Sequence, residues 1–348
     1  MKVLMKGNEA LSEAAIRAGA TLYFGYPITP QNEVGEYMSR RLPTIPGGAY
    51  IQAETEVASI NMVYGAASAG RRAMTSSSSP GISLMMEGIS YLAGAELPAV
   101  IVSIMRGGPG LGNINPEQAD YFQATKGGGH GSYRMIVLAP ASVQEMTDLT
   151  VLAFDLADKY RNPVMVAADG NLGQMMEPVE LKESYPNPYD HSGWALTGAK
   201  GREGHISTSI YLGADEMEEY IHKLYRKYAE IERAETRYEE FETADAEVVI
   251  VAYGIVSRVV RSAVELLRQE GIKAGMVRPI TLWPYPKAAI RRLADQAKFF
   301  LACEMSMGQM VEDVQLSVEG LRPVYFYGRS GGNVPTPPDV VAQVKQRL

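Results

Sequence analysis

The chain has 348 residues, 46% of them apolar, with a formal net charge of -7. That length exceeds one average domain and can fill two cores, and the acidic balance argues against nucleic acid as a partner. The single cysteine, Cys303, excludes an internal disulfide and an iron–sulfur cluster built from this chain alone, and His130, His191, His205 and His222 fall in no zinc-binding spacing, so no metal is assigned.

The opening stretch "MKVLMKGNEALSEAAIRAG" has an apolar run of only three residues before Lys6, too short for a signal-peptide core or a membrane span, so a cytoplasmic protein is expected. Short apolar runs then alternate with helical patterns. "TLYFGY", "GAYIQ", "RRAMTS", "AVIVSIM", "YRMIVLA" and "NPVMVAA" read as strands buried on both faces of a largely parallel sheet. Between them lie stretches such as "EVASINMVYGAASAG", with small and apolar residues at helical spacing. From about Tyr185 the chain turns rich in Pro, Gly and polar residues and reads as a long excursion. A densely charged segment follows, in which Met217, Tyr220, Ile221, Leu224, Tyr228 and Ile231 keep helical spacing; a solvated amphipathic connector helix is expected there. From Ala246 the alternation resumes with "EVVIVAYG", "IKAGMVRP", "KFFLACE" and "RPVYFYG" as strands. The fold class is therefore α/β, with domains expected at 1–184 and 246–348 and a linker with its connector helix at 185–245.

The glycine-rich loops fail the nucleotide tests. "RGGPGLGN" from Arg106 and "KGGGHG" from Lys126 do not satisfy GxGxxG, and no GxxxxGK[ST] occurs. "AYGIVSRVV" from Ala252 could cradle an anion on helix amides, but reads more simply as an ordinary strand-to-helix turn. Both glycine loops instead suggest walls of a substrate side-chain pocket, where His130 either touches substrate or is solvated.

Three features fall at the carboxyl ends of expected strands, where open α/β sheets place their ligand crevice. The first is the turn Tyr26-Pro27-Ile28-Thr29-Pro30, stiff and poor in N–H groups. The second is the acidic pair of "QAETEVAS", in which Glu56 opens a very apolar helix while Glu54 sits at a strand end and should be solvated. A first-turn acid is favoured by the helix dipole alone, yet burial there would also raise a carboxyl's pKa and let it hold a proton for a ring nitrogen. The third is Arg106, placed after a wholly apolar strand and suited either to a surface ion pair or to a bidentate grip on a carboxylate.

"GYPITPQNE", "QAETEVASINMVYGAASAG", "TSSSSPGISLMMEGISYLAGAELPAVIVSIMRGGPGLGN" and "NPVMVAADGNLGQMMEPV" resemble the α subunit of the 2-oxoacid:ferredoxin oxidoreductases, closest to the branched-chain (3-methyl-2-oxobutanoate) type. The resemblance spans essentially the whole chain. It implies a thiamine diphosphate-binding, pyrimidine-type domain followed by a transketolase C-terminal-like domain. The implied reaction is the CoA-dependent oxidative decarboxylation of a 2-oxoacid to acyl-CoA and CO₂, with electrons passed through 4Fe–4S clusters to ferredoxin. By the same resemblance Glu56 is the catalytic glutamate at the cofactor's aminopyrimidine ring, Tyr26, Pro27, Ile28 and Thr29 line the cofactor, and Thr29 and Arg106 lie beside the substrate carboxylate. "ADGN" from Ala168 lacks the leading glycine of the family's diphosphate motif and reads as a strand-end turn. The diphosphate with its Mg²⁺ is thus expected on a partner β subunit, with further γ and ferredoxin-like δ subunits, and the clusters on partner chains. The same chemistry on 2-oxoglutarate or pyruvate, and a non-catalytic assembly subunit, are the alternatives. A nicotinamide dehydrogenase is disfavoured by the missing fingerprint.

Overall fold

The computed structural model describes residues 2–348. The chain runs β1 (Lys2–Lys6), α1 (Gly7–Arg17), β2 (Leu22–Gly25), α2 (Asn32–Arg41), β3 (Ala49–Gln52), α3 (Glu56–Ser68), β4 (Ala73–Ser77), α4 (Ser79–Gly94) and β5 (Ala99–Met105). It continues through α5 (Tyr121–Thr125), β6 (Ile136–Leu138), α6 (Val143–Tyr160), β7 (Pro163–Asp169), α7 (Gly170–Gln174) and β8 (Met176–Glu180) to α8 (Ala214–Glu235) and β9 (Tyr238–Phe241). The last part comprises β10 (Val248–Val251), α9 (Gly254–Gln269), β11 (Ala274–Pro279), β12 (Thr281–Trp283), α10 (Lys287–Leu293), β13 (Phe299–Glu304), α11 (Met310–Val318), β14 (Val324–Gly328) and α12 (Pro337–Lys345).

Two large sheets result. The first has the order β12-β6-β7-β5-β4-β2-β3 and is parallel except for β12; the second has the order β14-β13-β10-β11-β9 and is parallel except for β9. Every residue of β5 and β7 is buried, as expected for strands covered by helices on both faces. Each Val, Ile or Met sealed there contributes roughly 1.5–3 kcal/mol of transfer free energy. Helices α3 and α4 cover one face and cross where Gly88 leaves no room for a Cβ against Ile60. Chain order places β2 beside both β3 and β4, so the sequence of strands reverses direction there and opens a crevice at their carboxyl ends.

The strands expected from apolar runs all form, and four further ones appear. β1 pairs antiparallel with β8 at the side, β9 edges the second sheet, and β12 leaves the second half of the chain to pair with β6 in the first sheet. α8 forms as the helical spacing predicts, but it is not a free connector. Leu224, Tyr228 and Ile231 are buried in the core, Tyr220 donates a hydrogen bond to the Gly94 carbonyl (2.6 Å), and Tyr228 meets Trp283 edge-on.

The two sheets meet through the segment 106–126, which leaves the end of β5 and threads between the strand ends of both. Gln118, fully buried, donates to the Tyr253 carbonyl (3.1 Å) after β10 and accepts from Met305 N (3.0 Å) after β13. Gln309 donates to the Ala119 carbonyl (2.6 Å), and Tyr121 donates to Asp313 (2.5 Å) on α11. Asp169, at the end of β7, accepts from Asn171 N, Leu172 N and Ile255 N, so its carboxylate fills the amino end of α9. That is why "AYGIVSRVV" is a turn and not a ligand cradle: the protein supplies its own anion there.

Candidate active site

Thr55 fixes the position of Glu56. Its extended backbone ends the loop after β3, and its side chain accepts from Ala58 N (3.0 Å), the N-cap geometry that starts α3 at the next residue. Glu56 is thereby turned inward and only 5% exposed, while Glu54 is exposed, as the sequence suggested. The carboxylate lies against the first turn of α4, where a Cβ on Gly81 would overlap both Glu56 Oε1 and Ser77 Oγ. Glycine is needed there for close approach, not for an unusual backbone angle.

The turn after β2 is held from several sides. The Pro30 carbonyl accepts from Asn8 (2.8 Å) and Gln174 (3.0 Å), and Gln31 N closes the turn on the Ile28 carbonyl (3.1 Å). Thr29 Oγ1 accepts from Asn32 Nδ2 (3.3 Å) and is half-buried, free to take a second partner. The Thr29 carbonyl accepts from Arg106 Nη1 (2.9 Å), so these two residues, 77 positions apart, are in direct contact.

Arg106 is 8% exposed, which rules out the surface ion pair. Its guanidinium donates to two backbone carbonyls, Thr29 and Leu111 (3.1 Å), and its Nε has no acceptor. No carboxylate among the described residues pairs with it. A buried, unneutralised cation is costly unless an anion completes it. Ser79, the first residue of α4, joins this arginine to the Glu56 side of the site: its Oγ accepts from Arg106 N (3.0 Å) and donates to Asp120 Oδ2 (2.5 Å). Burial pushes the Asp120 carboxyl up to about 6, against the lowering effect of the Ser79 hydrogen bond and with help from the nearby charge of Glu117.

Glu56, Thr29 and Arg106 therefore surround the carboxyl ends of β2, β4 and β5 and the first turn of α4. Ser77 Oγ and Ser78 Oγ, buried beside them, also lack partners. Unsatisfied buried polar atoms are uncommon enough that their clustering marks a place where a ligand completes the bonding. An isolated buried carboxylate suits a ring nitrogen that exchanges a proton, and the unpaired guanidinium suits a carboxylate; the residues present fit both demands. Tyr26 and Pro27 are exposed and line a separate cavity of about 420 Å³ with Tyr23, Gln31 and Tyr50, which Glu56, Thr29 and Arg106 do not border. The loop "KGGGHG" is not a pocket wall near this site. Gly128 and Gly129 pack on Met86 and Ser90, in the middle and lower part of α4, and His130 is exposed. Sequence reasoning missed Ser79, Gly81, Glu117 and Asp120; the run "SSSSPG" before a helix was the one local signal for the first two.

Two family models match the chain: one described as pyruvate flavodoxin/ferredoxin oxidoreductase, thiamine diphosphate-binding, over residues 13–242, and one described as pyruvate:ferredoxin oxidoreductase core domain II, over residues 246–340. The ketoisovalerate oxidoreductase subunit VorB of Methanothermobacter thermautotrophicus is 55% identical over 343 residues, covering 99% of this chain and 97% of the relative. The 2-oxoglutarate synthase subunit KorA of Methanocaldococcus jannaschii is 38% identical, covering 98% of each chain. Among solved structures, 2-oxoglutarate:ferredoxin oxidoreductase from Magnetococcus marinus with 2-oxoglutarate, coenzyme A and succinyl-CoA bound superposes with a TM-score of 0.88 at 30% identity. That match covers 99% of this chain and 65% of the other, so this chain spans just under two thirds of its length.

Proposed function

The chain belongs to the pyruvate flavodoxin/ferredoxin oxidoreductase family, as a subunit of a 2-oxoacid:ferredoxin oxidoreductase, and from that premise we propose that it carries one half of a shared active site for 3-methyl-2-oxobutanoate. The products are the branched acyl-CoA, CO₂ and reduced ferredoxin. The observation that carries this reading is the buried Arg106 guanidinium with an orphaned Nε and no acidic partner.

Arg106 binds the substrate carboxylate by a charge-assisted hydrogen bond and holds it where it departs as CO₂. Thr29 Oγ1 offers a hydroxyl on the same side, and the neighbouring turn, with two prolines, excludes water and keeps that hydroxyl in place. Glu56 holds or yields a proton at the cofactor's pyrimidine nitrogen, while Tyr26 and Pro27, which face the separate cavity beside Tyr23 and Tyr50, are not part of that contact. Thiamine diphosphate, when bound, supplies the carbon nucleophile and the electron sink for decarboxylation. The diphosphate and Mg²⁺ are placed on a partner β subunit in this reading, because the turn after β7 lacks the family motif's leading glycine and its Asp169 carboxylate is already taken by the amides of Asn171, Leu172 and Ile255. The 4Fe–4S clusters likewise belong to partner chains, since Cys303 is the only thiol and is buried. β, γ and ferredoxin-like δ subunits complete the assembly.

The branched-chain substrate is supported by the loop after Arg106. It contains no Lys, Arg or His between Gly107 and Pro116, and it exposes Leu111 (81%) and Ile114 (62%), a setting for an apolar side chain rather than for a second carboxylate. The relatives that act on 2-oxoglutarate favour the second reading. Anaerobic, CoA-dependent reduction of a viologen dye discriminates the two, using this chain alone and then with its β, γ and δ partners, over 3-methyl-2-oxobutanoate, 2-oxoglutarate and pyruvate. Turnover of the branched acid only in the assembled complex is expected. Preference for 2-oxoglutarate would overturn the substrate, and turnover by the isolated chain would overturn the shared site.

A further inference from the structure

Glu117 is 3% exposed and forms no ion pair among the described residues, although it lies on the same short loop as the equally unpaired Arg106. Its two oxygens face different domains. Oε2 accepts from Gly108 N (2.9 Å), two residues beyond Arg106, and Oε1 accepts from Gly331 N (3.0 Å), in the loop after β14 of the second sheet. The surrounding contacts lock the same joint. Gly107 N donates to the Asn115 carbonyl (2.9 Å), Asn113 N to the Gly107 carbonyl (3.0 Å), and Asn113 Nδ2 to the Gly331 carbonyl (3.1 Å). Gly332, at φ +93°, lies so close that a Cβ there would overlap the Asn115 side chain.

Pairing a buried carboxylate with a buried guanidinium eleven residues away would relieve both, yet the structure spends the carboxylate on two backbone amides and leaves the guanidinium open. We infer that Glu117 is a positioning residue for substrate recognition: it ties the Arg106 loop to the Gly331–Gly332 loop of the second domain and so keeps the guanidinium aimed and unpaired for the 2-oxoacid carboxylate. This gives the second domain, which contributes none of Glu56, Thr29 or Arg106, a part in binding substrate. The inference rests on the reading of Arg106 as the carboxylate grip.

Glu117→Gln keeps the shape but presents an amide N–H₂ to one of two N–H donors, so one half of the tie opens. In the assembled complex the expected result is a rise of about tenfold in KM for 3-methyl-2-oxobutanoate, with kcat changed by less than about threefold, the signature of lost binding rather than lost chemistry. Gly332→Ala, which pushes the same joint apart from the other side, should give the same KM-selective change. Arg106→Lys raises KM by itself, and adding Glu117→Gln to it should raise KM little further, because the tie then has no guanidinium to aim. If Arg106→Lys leaves KM unchanged, the carboxylate reading falls. If Arg106→Lys raises KM but Glu117→Gln and Gly332→Ala do not, or if the double variant is multiplicative, the positioning role alone is overturned.

Discussion

The carboxyl ends of the two sheets are built alike and bonded differently. At the second sheet, Glu304 is wholly buried, and its carboxylate accepts from Ser306 Oγ (2.7 Å), Gln309 N (3.1 Å), Met310 N (3.1 Å) and Val311 N (3.1 Å), closing the amino end of α11. At the first sheet, Glu56 is nearly as buried, yet its side chain makes no hydrogen bond and lies against Gly81, where a Cβ would overlap it, and Arg106 Nε, Ser77 Oγ and Ser78 Oγ stand without partners. Both positions are acids beside a helix start at the end of a parallel strand. The saturated one stabilises the fold; the unsaturated one has its bonding capacity left for a ligand.

Glu56→Gln sharpens that contrast most. It should lower kcat of the assembled complex on the order of 10²-fold or more, the scale of a lost proton-transfer partner, while the melting temperature of the chain stays within a few degrees. Full activity in this variant would break the assignment. Arg106→Ala comes next, with kcat/KM for the 2-oxoacid down on the order of 10²-fold, as for a lost charge-assisted bond, seen in steady-state kinetics. Glu304→Gln is the mirror experiment. It should cost about 3 kcal/mol in chemical denaturation by leaving buried N–H groups facing an amide, and complex that still folds should keep its kcat. If Glu304→Gln silenced a fully folded complex, saturation would not separate structure from function here.

How much of this was legible beforehand follows the range of the interactions. Thr55 capping α3, and hence Glu56 turned inward with Glu54 outside, is a matter of four consecutive residues and could be read from "ETEV". Arg106 after a seven-residue strand with a single polar member, Ser103, was likewise local, although only the structure shows that its partner is a backbone carbonyl 77 residues earlier. Glu117 and Gln118 gave no local signal because their partners in the second sheet's loops, Gly331, Tyr253 and Met305, lie more than 130 positions away. β12 was hidden for a related reason. Three residues following β11 directly look like its continuation, and nothing local says that they turn back to the edge of the other sheet. α8 shows the same limit: its spacing announced a helix, and not the surface against which Tyr228 and Ile231 would be buried.

The smallest effect tests whether the seam between the sheets carries a charge in the folded state. Burial pushes the carboxyls of Asp169 and Asp120 up to about 6, in spite of the backbone amides on the first and Ser79 on the second. Between the ordinary value of 3.8 and about 6 the folded chain therefore binds protons that the unfolded chain releases, so these two groups make stability rise as pH falls through that window. Acids such as Glu13, Glu33 and Glu235 oppose them. Burial acts to raise each, but hydrogen bonds from Arg41 and Arg17 to Glu13, from Asn8, Gln174 and Lys6 to Glu33, and from Lys159 to Glu235 hold all three below the ordinary 4.5, and their contribution is lost only as pH falls through those lowered values. Maximal stability is thus expected on the acid side of neutrality, near pH 5, in denaturant titrations of this chain. Asp169→Asn should flatten the slope between pH 4 and 6 without moving the acid limb, because it removes the proton uptake and leaves the paired acids alone. A slope that persists unchanged in the variant would mean that Asp169 stays ionised in the fold, satisfied by α7 and α9 as fully as Glu304 is by α11.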